Sequence, residues 1–257
     1  MNLISKIKYT HDFSLLHRLI FLLKYKRRNA IETEELIDIC NQYKSISILA
    51  SGPSLNKCKI QLNTLYFTTN SSYLYLNKSS NFIHIIKDYG YLKKFLMFGL
   101  KYKPKLVIIE VFTHTNGRGF GEKSIDILNK YFGKIRFNYP VIITNNENII
   151  DFNNKNYYNN RTNWINKYNI VNPDSNSGLM LYGYALWLSN IGPDSKTMNV
   201  YGLDAGEGGQ KYYNKDKTPR NHVAMRDKNK KEMGRFIDKC QGKFKNIKNF
   251  SYFKSNS

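Results

Sequence analysis

The stretch SISILASGPSLNK, residues 45–57, sets the fold of everything around it. A short β-branched run ends in a tight Gly-Pro turn, followed by Ser54 and Leu55. Gly52 permits a close approach to the backbone, and Pro53 fits the first position of a helix. The free N–H groups of that helix would point outward, and Ser51 and Ser54 add hydroxyl donors. These residues suit a phosphate. They do not form a P-loop, because no GK[ST] follows, nor a dinucleotide fingerprint, because two of its three glycines are missing. A plain strand-to-helix turn fits them equally well.

From residue 45 onward, short β-branched runs alternate with helical ones. Strands are predicted at 46–50, 64–69, 82–86, 105–111, 140–144 and 197–203. Several are continuous apolar runs, as in strands covered on both faces. Helices are predicted at 53–62, 89–101, 122–133, 160–168, 178–190 and 226–240. Such alternation implies an α/β fold: a Rossmann-like parallel sheet with helices on both faces. Residues 1–44 read as a basic helical extension and 45–257 as the main domain. Ligands of such sheets bind beyond the carboxyl ends of the strands, so the segments after each strand carry the functional argument.

Bulk properties narrow the choices. A chain of 257 residues is one large domain, or one domain with an attachment, and needs no disulfide or metal to fold. Cys40, Cys58 and Cys240 are far apart and odd in number, which argues against a disulfide framework and a zinc site. A reducing cytosol fits best. The net charge of +21 fits an anionic partner, although Lys-, Asn-, Ile- and Tyr-rich composition accounts for part of the excess. The stretch LLHRLIFLL, residues 15–23, is too short to span a bilayer and runs into Lys24, Lys26, Arg27 and Arg28. That juxtaposition suits an interfacial helix on anionic lipid, and equally a helix packed on the domain or a dimer contact.

After the second strand, TTNSSY places Asn70 at the strand end. Its amide offers a donor and an acceptor, useful for a ribose or sugar hydroxyl; an Asx turn or helix cap uses the same residue. Near residue 176, Ser175, Asn176 and Ser177 are all capable caps, and Gly178 opens an apolar helix that stops at Gly192. Its apolar positions run nearly all round, so it is expected to be buried. The Ser177 hydroxyl and Gly178 amide at its start suit an anion such as a carboxylate. Asp204 ends the sixth strand. Beyond it, residues 205–222 lack periodicity, as a substrate lid does, and carry Tyr212, Tyr213 and His222. Phenolic hydroxyls can stabilise a departing phosphate, and histidine can take a proton near neutral pH. The other four histidines, His84 among them, show no such setting.

In this order, ASGPSL (50–55), Asn70, NSGLMLYGYALWL (176–188), VYGLDAG (200–206), the tyrosine pair and NHV (221–223) resemble the bacterial sialyltransferases of glycosyltransferase family 42. The resemblance covers roughly residues 45–225. Ser51 stands where that family has asparagine, and the tyrosines are adjacent rather than separated. The resemblance implies a GT-A-type variant of the Rossmann-like fold that binds CMP-sialic acid, with inverting transfer and no metal. By similarity, Ser51, Gly52, Pro53, Ser54, Asn70 and Asp204 line the nucleotide site. Ser177 and Gly178 would hold the carboxylate or phosphate region. Tyr212 and Tyr213 would stabilise the leaving phosphate, and His222 would be the general base.

The resulting expectation is a transferase that moves a nonulosonic or other acidic sugar from a CMP-sugar to a glycan or lipid-linked acceptor. No cofactor, metal or nucleic acid is expected. An anionic membrane surface and a second copy of the chain are candidate partners, and the location is cytoplasmic, peripheral to the inner membrane. One alternative is a pterin or nucleotide diphosphokinase of the MptE-like type. It shares the GPSL turn and would need magnesium and carboxylates such as Asp88, Glu110 and Asp204. The other is a basic Rossmann-like protein on nucleic acid, for which YLKKFLMFGLKYKPK, residues 91–105, is the candidate surface.

Overall fold

The computed structural model describes residues 33–76, 81–99, 102–111, 141–145, 157–171, 176–205, 207 and 227–253. Among them are the strands β1 (Ser45–Leu49), β2 (Thr64–Thr69), β3 (Phe82–Ile86), β4 (Leu106–Val111), β5 (Val141–Asn145), β6 (Thr197–Tyr201) and β7 (Ile247–Asn249). They form a seven-stranded sheet in the order β5-β4-β3-β2-β1-β6-β7. Every pairing is parallel. The chain steps outward from β1 to β5, then returns to the other side of β1 with β6. The topological switch therefore lies between β1 and β6, where open parallel sheets form their ligand crevice.

Alternation along the strands divides the side chains between two covered faces. Ile46, Ile48, Leu65, Phe67, Ile83, Ile85, Leu106, Ile108, Met198 and Val200 join one buried core. Helices α1 (Thr33–Asn41), α3 (Tyr157–Asn166), α4 (Ser177–Asn190) and α5 (Asp227–Lys243) contribute Leu36, Ile165, Tyr182 and Phe236 to that same core. On the opposite face, His84 meets Tyr73 and Phe95, with ring centroids 4.9 and 4.6 Å apart. Tyr73 comes from a 3-10 turn, Ser72–Leu76, and Phe95 from a π turn, Phe95–Gly99, that continues helix α2 (Tyr89–Lys94).

Helix α4 is buried from Leu179 through Ser189, as its apolar composition leads one to expect. The sheet covers one side, Tyr182 makes an edge contact with Phe236 of α5, and Arg161 of α3 lies over the Tyr184 ring at 4.5 Å. Arg161 is itself fully buried and pairs with Glu110 of β4 at 3.2 Å.

Several boundaries differ from those read in the sequence. The helix expected at 53–62 is a single 3-10 turn, Pro53–Lys57, and 89–101 divides into α2 and the π turn. Asp88 caps α2 by accepting from Gly90 N at 2.7 Å. The basic extension contributes α1, whose Leu36 and Cys40 are 0% and 1% exposed, so the core reaches upstream of residue 45. Strand β7 was not predicted: Ile247 and Asn249, half-buried at an edge on either side of the exposed Lys248, carry no apolar run. The helix at 122–133, residues 1–32, and the tyrosine pair and His222 of the lid segment lie outside the described residues. All three cysteines are free and buried. Among the described residues no helix is long and apolar enough to cross a membrane.

His84 carries a measurable consequence. Burial pushes its pKa down to about 3, against the opposing hydrogen bond with Thr68, so the native imidazole is neutral. Between the ordinary value near 6.5 and about 3, the unfolded chain binds a proton that the native state refuses. Stability therefore falls as pH falls through this window, by up to about 1.4 kcal/mol per pH unit. Denaturant midpoints at pH 7, 5.5 and 4.5 should show this slope in the wild type. His84→Leu should flatten it; an unchanged slope would assign it to other groups.

Candidate functional site

Three segments converge at the carboxyl edge beside the switch point. The turn after β1 and the turn after β6 are joined by a tight set of hydrogen bonds. Gly52 N donates to Gly202 O at 2.8 Å, and Gly202 N donates to Ser54 Oγ at 2.7 Å. Ser54 N donates to Asp204 Oδ2 at 2.7 Å, and Tyr252 N donates to Asp204 Oδ1 at 2.6 Å. Ser251 Oγ accepts from Leu203 N at 3.2 Å. Lys57 lies 3.6 Å over the Tyr252 ring, closing residues 250–253 against the same turn.

This network gives the bare Gly52 an internal cause. A Cβ there would collide with Asp204 Oδ2 and stand 2.6 Å from Gly202 O. Ser54 is fully buried, with both its amide and its hydroxyl engaged by the β6 turn. Asp204, 2% exposed, is a clamp between two turns. These groups shape the rim of the crevice, and their hydrogen bonds are spent within the protein. Asp204→Asn should cost about 1.5–3 kcal/mol, because a charged acceptor of two backbone N–H groups becomes a half-mismatched amide. Urea denaturation measures it, and a loss below 0.5 kcal/mol, about the scale of an ordinary surface substitution, would contradict the clamp.

The third segment is the start of α4. Asn176 is its cap, accepting from Leu179 N at 2.9 Å, and Ser177 is the first helical residue. A Cβ on Gly178 would stand 2.6 Å from Leu203 Cδ1 and 4.0 Å from Ala50 Cβ. The structure thus brings Gly178, in the first turn of α4, against Ala50 at the end of β1 and Leu203 beyond β6. Asn70 follows β2 with φ 54°, and Gly202 and Ala205 follow β6 with φ 75° and 52°. Left-handed backbone at non-glycine positions concentrates at ligand sites.

Three of the nine buried polar side-chain atoms that lack a hydrogen bond among the described residues sit at the same edge, and the others lie on β3, β4, α3 and α4. Ser51 Oγ, Thr69 Oγ1 and Asn70 Oδ1 are buried and make no hydrogen bond. Ser51 and Asn70 were legible as candidates, whereas Thr69 was not: it reads as an ordinary strand residue. Ser72 was also missed. Its hydroxyl lies 2.5 Å from Leu49 O and 2.8 Å from Thr69 O, tying the end of β1 to that of β2. Ser251 and Tyr252 lacked any signal as well, since their partners are 48 residues away.

The three carboxylates considered for a metal each hold protein groups: Asp88 caps α2, Glu110 pairs with Arg161, and Asp204 clamps the turns. Among the described residues no cluster of three His, Cys, Asp or Glu side chains has metal-site geometry. No protein-family model, curated protein or solved structure matches the chain.

Proposed function

We propose that the chain is a glycosyltransferase that takes an acidic sugar, of the nonulosonic class, from a CMP-sugar to a glycan acceptor. The observation that carries the proposal is the convergence of the GPSL turn, the VYGLDA turn and the α4 N-terminus at the switch point. Gly178 stands against Ala50 and Leu203 there. These are three of the motifs on which the family resemblance rests, and they lie far apart in sequence.

In the proposed reaction the acceptor hydroxyl attacks the anomeric carbon, and the bond from that carbon to the CMP phosphate oxygen breaks. His222 takes the hydroxyl proton. CMP leaves with the electron pair, and charge grows on its phosphate. The hydroxyls of Tyr212 and Tyr213 and the start of α4 supply stabilising donors. The finer placement in the GT-A class, the lid at 205–222 and a peripheral position at an anionic membrane belong to the same proposal. No observation favours the diphosphokinase, since each of its three candidate carboxylates is engaged by protein groups.

A thermal-shift screen tests it. Saturating CMP should raise the melting temperature by about 5–10 °C, with or without magnesium. UDP, GDP and ADP should do little. A shift that needs magnesium, or equal shifts for all nucleotides, would reject the donor assignment.

A further inference from the structure

Among the described residues, no α-helix covers the β2-β1-β6-β7 half of the sheet on the side away from α4. Helices α1, α3, α4 and α5 all put side chains into the core with Ile46 and Val200, and α2 packs on β3. On the open side, register lines up Tyr66, Ser47, Asn199 and Lys248 across the four strands, about 14 Å from end to end. Asn199 Nδ2 donates to Ser47 Oγ at 3.4 Å, so both side chains share this face. Ser45 and Thr197 form the next row toward the amino ends. A floor of serine, threonine and asparagine offers no apolar surface on which to bury a helix.

Two strips frame the floor. Residues 57–62 run along its β2 side, where Gln61 N donates to the Tyr66 hydroxyl at 2.6 Å. Residues 248–252 close the β7 side. Lys57 joins the two: its Nζ donates to Phe250 O at 3.5 Å and lies 3.6 Å over the Tyr252 ring. Leu62 is 88% exposed, and Ile60, Phe250 and Tyr252 are each 40% exposed or more. Lys57, Lys59 and Lys248 are exposed among them. Neither 51–69 nor 241–253 contains an aspartate or a glutamate.

This combination selects its partner. A second copy of the chain, at net charge +21, is repelled by the lysines. A protein partner needs an apolar centre with charge at the rim, and here the centre is polar. Nucleic acid would meet the lysines and leave the exposed leucine and isoleucine without a role. An anionic bilayer engages every part: lysine stems lie on the surface with their heads at the phosphates, tyrosine sits at the headgroup level, and aliphatic side chains enter the acyl boundary. We propose that this face of the folded domain docks on an anionic lipid surface, with Leu62 and Ile60 entering it and Lys59 and Lys248 holding headgroups. The docking rests on the peripheral position proposed above, and assigns the contact to the sheet domain instead of the basic extension. Tyr252 N is held by Asp204, so the docked face ends at the crevice rim, where a lipid-linked acceptor arrives without leaving the surface.

Cosedimentation of the full chain with vesicles tests this, using phosphatidylcholine alone and a phosphatidylcholine–phosphatidylglycerol mixture. Wild type should bind the mixed vesicles at least about tenfold more tightly. The pair Lys59→Gln, Lys248→Gln should weaken that binding about twentyfold, roughly fivefold for each lysine. Leu62→Ser should weaken it about three- to tenfold. A control pair on α5, Lys231→Gln and Lys239→Gln, removes the same charge from exposed positions on the other side of the sheet and should cost less than about threefold. Equal losses for the two lysine pairs would show attraction by total charge alone and overturn the docking face. Wild-type binding by Leu62→Ser would overturn it as well, since no side chain then enters the lipid. If the sheet pair weakens binding of a single-stranded RNA oligomer and leaves vesicle binding intact, the face reads nucleic acid and the lipid assignment falls. A wild type that binds neither vesicle would remove the peripheral position and this surface together, leaving the CMP assignment to its own thermal shift.

Discussion

Arg161→Met is expected to lower the stability of the fold by about 3–5 kcal/mol, enough to leave many domains of this size partly unfolded. Arg161 and Glu110 are 0% and 1% exposed, and their charged atoms lie 3.2 Å apart between α3 and β4. Removing the guanidinium leaves a carboxylate in a medium that cannot solvate it. It also strips the cation from the Tyr184 ring, 4.5 Å away on α4. The double variant Arg161→Met, Glu110→Met should recover most of the loss, because two apolar groups of similar size replace a pair that was costly to desolvate. Denaturant unfolding of wild type, both single variants and the double variant measures the coupling. If the two single losses simply add, the pair is not a unit, and its role in fastening α3 to the sheet is mistaken.

The second large effect concerns turnover. His222→Ala should leave the fold intact and lower the transfer rate roughly 10²–10⁴-fold, the usual contribution of a general base. In the proposed reaction the imidazole takes the acceptor proton as the hydroxyl attacks, so nucleophilicity falls when it is gone. CMP binding should change little, because the proposed role puts the histidine on the acceptor side. The pH–rate profile offers an independent check: the limb on which rate rises with pH should vanish in the variant. Full turnover in His222→Ala, with CMP still bound, would remove this histidine from the mechanism and leave the nucleotide site standing.

Much of the fold could be read directly from residue pattern. The runs TLYFTT, 64–69, and FIHII, 82–86, gave β2 and β3 to the residue, because β-branched and aromatic side chains dominate them and every position is buried. The all-apolar 179–189 segment announced a buried helix. The failures have equally definite causes. The helical segment after β1 stops at Lys57, six residues short of β2, and nothing in PSLNK says so. Strand β7 is read only through its partner, since its backbone pairs with Met198–Val200 while its side chains stay at the edge.

At the candidate site, glycine and proline marked the turn correctly, and the identity of the group beside Gly52 did not follow from them. A bare glycine reports that something is close. Whether that something is a ligand or Asp204, 150 residues along the chain from Ser54, is a matter of long-range topology. Thr69 illustrates the reverse: its type is ordinary in a strand, and that its buried hydroxyl lacks a partner follows only from the fold.

The position of β1 inside the sheet, between β2 and β6, has a consequence during synthesis. One of its edges meets β2 within about twenty residues, while the other waits for β6, whose Thr197 pairs with Ser45. A ribosome adding about 5–20 residues per second leaves that second edge open for roughly ten seconds or more. For that interval the nascent chain carries an unpaired apolar strand next to a turn that cannot yet close. Association between neighbouring polypeptides on one messenger, and demand for a holding chaperone, should therefore be greatest before residue 201 leaves the exit tunnel.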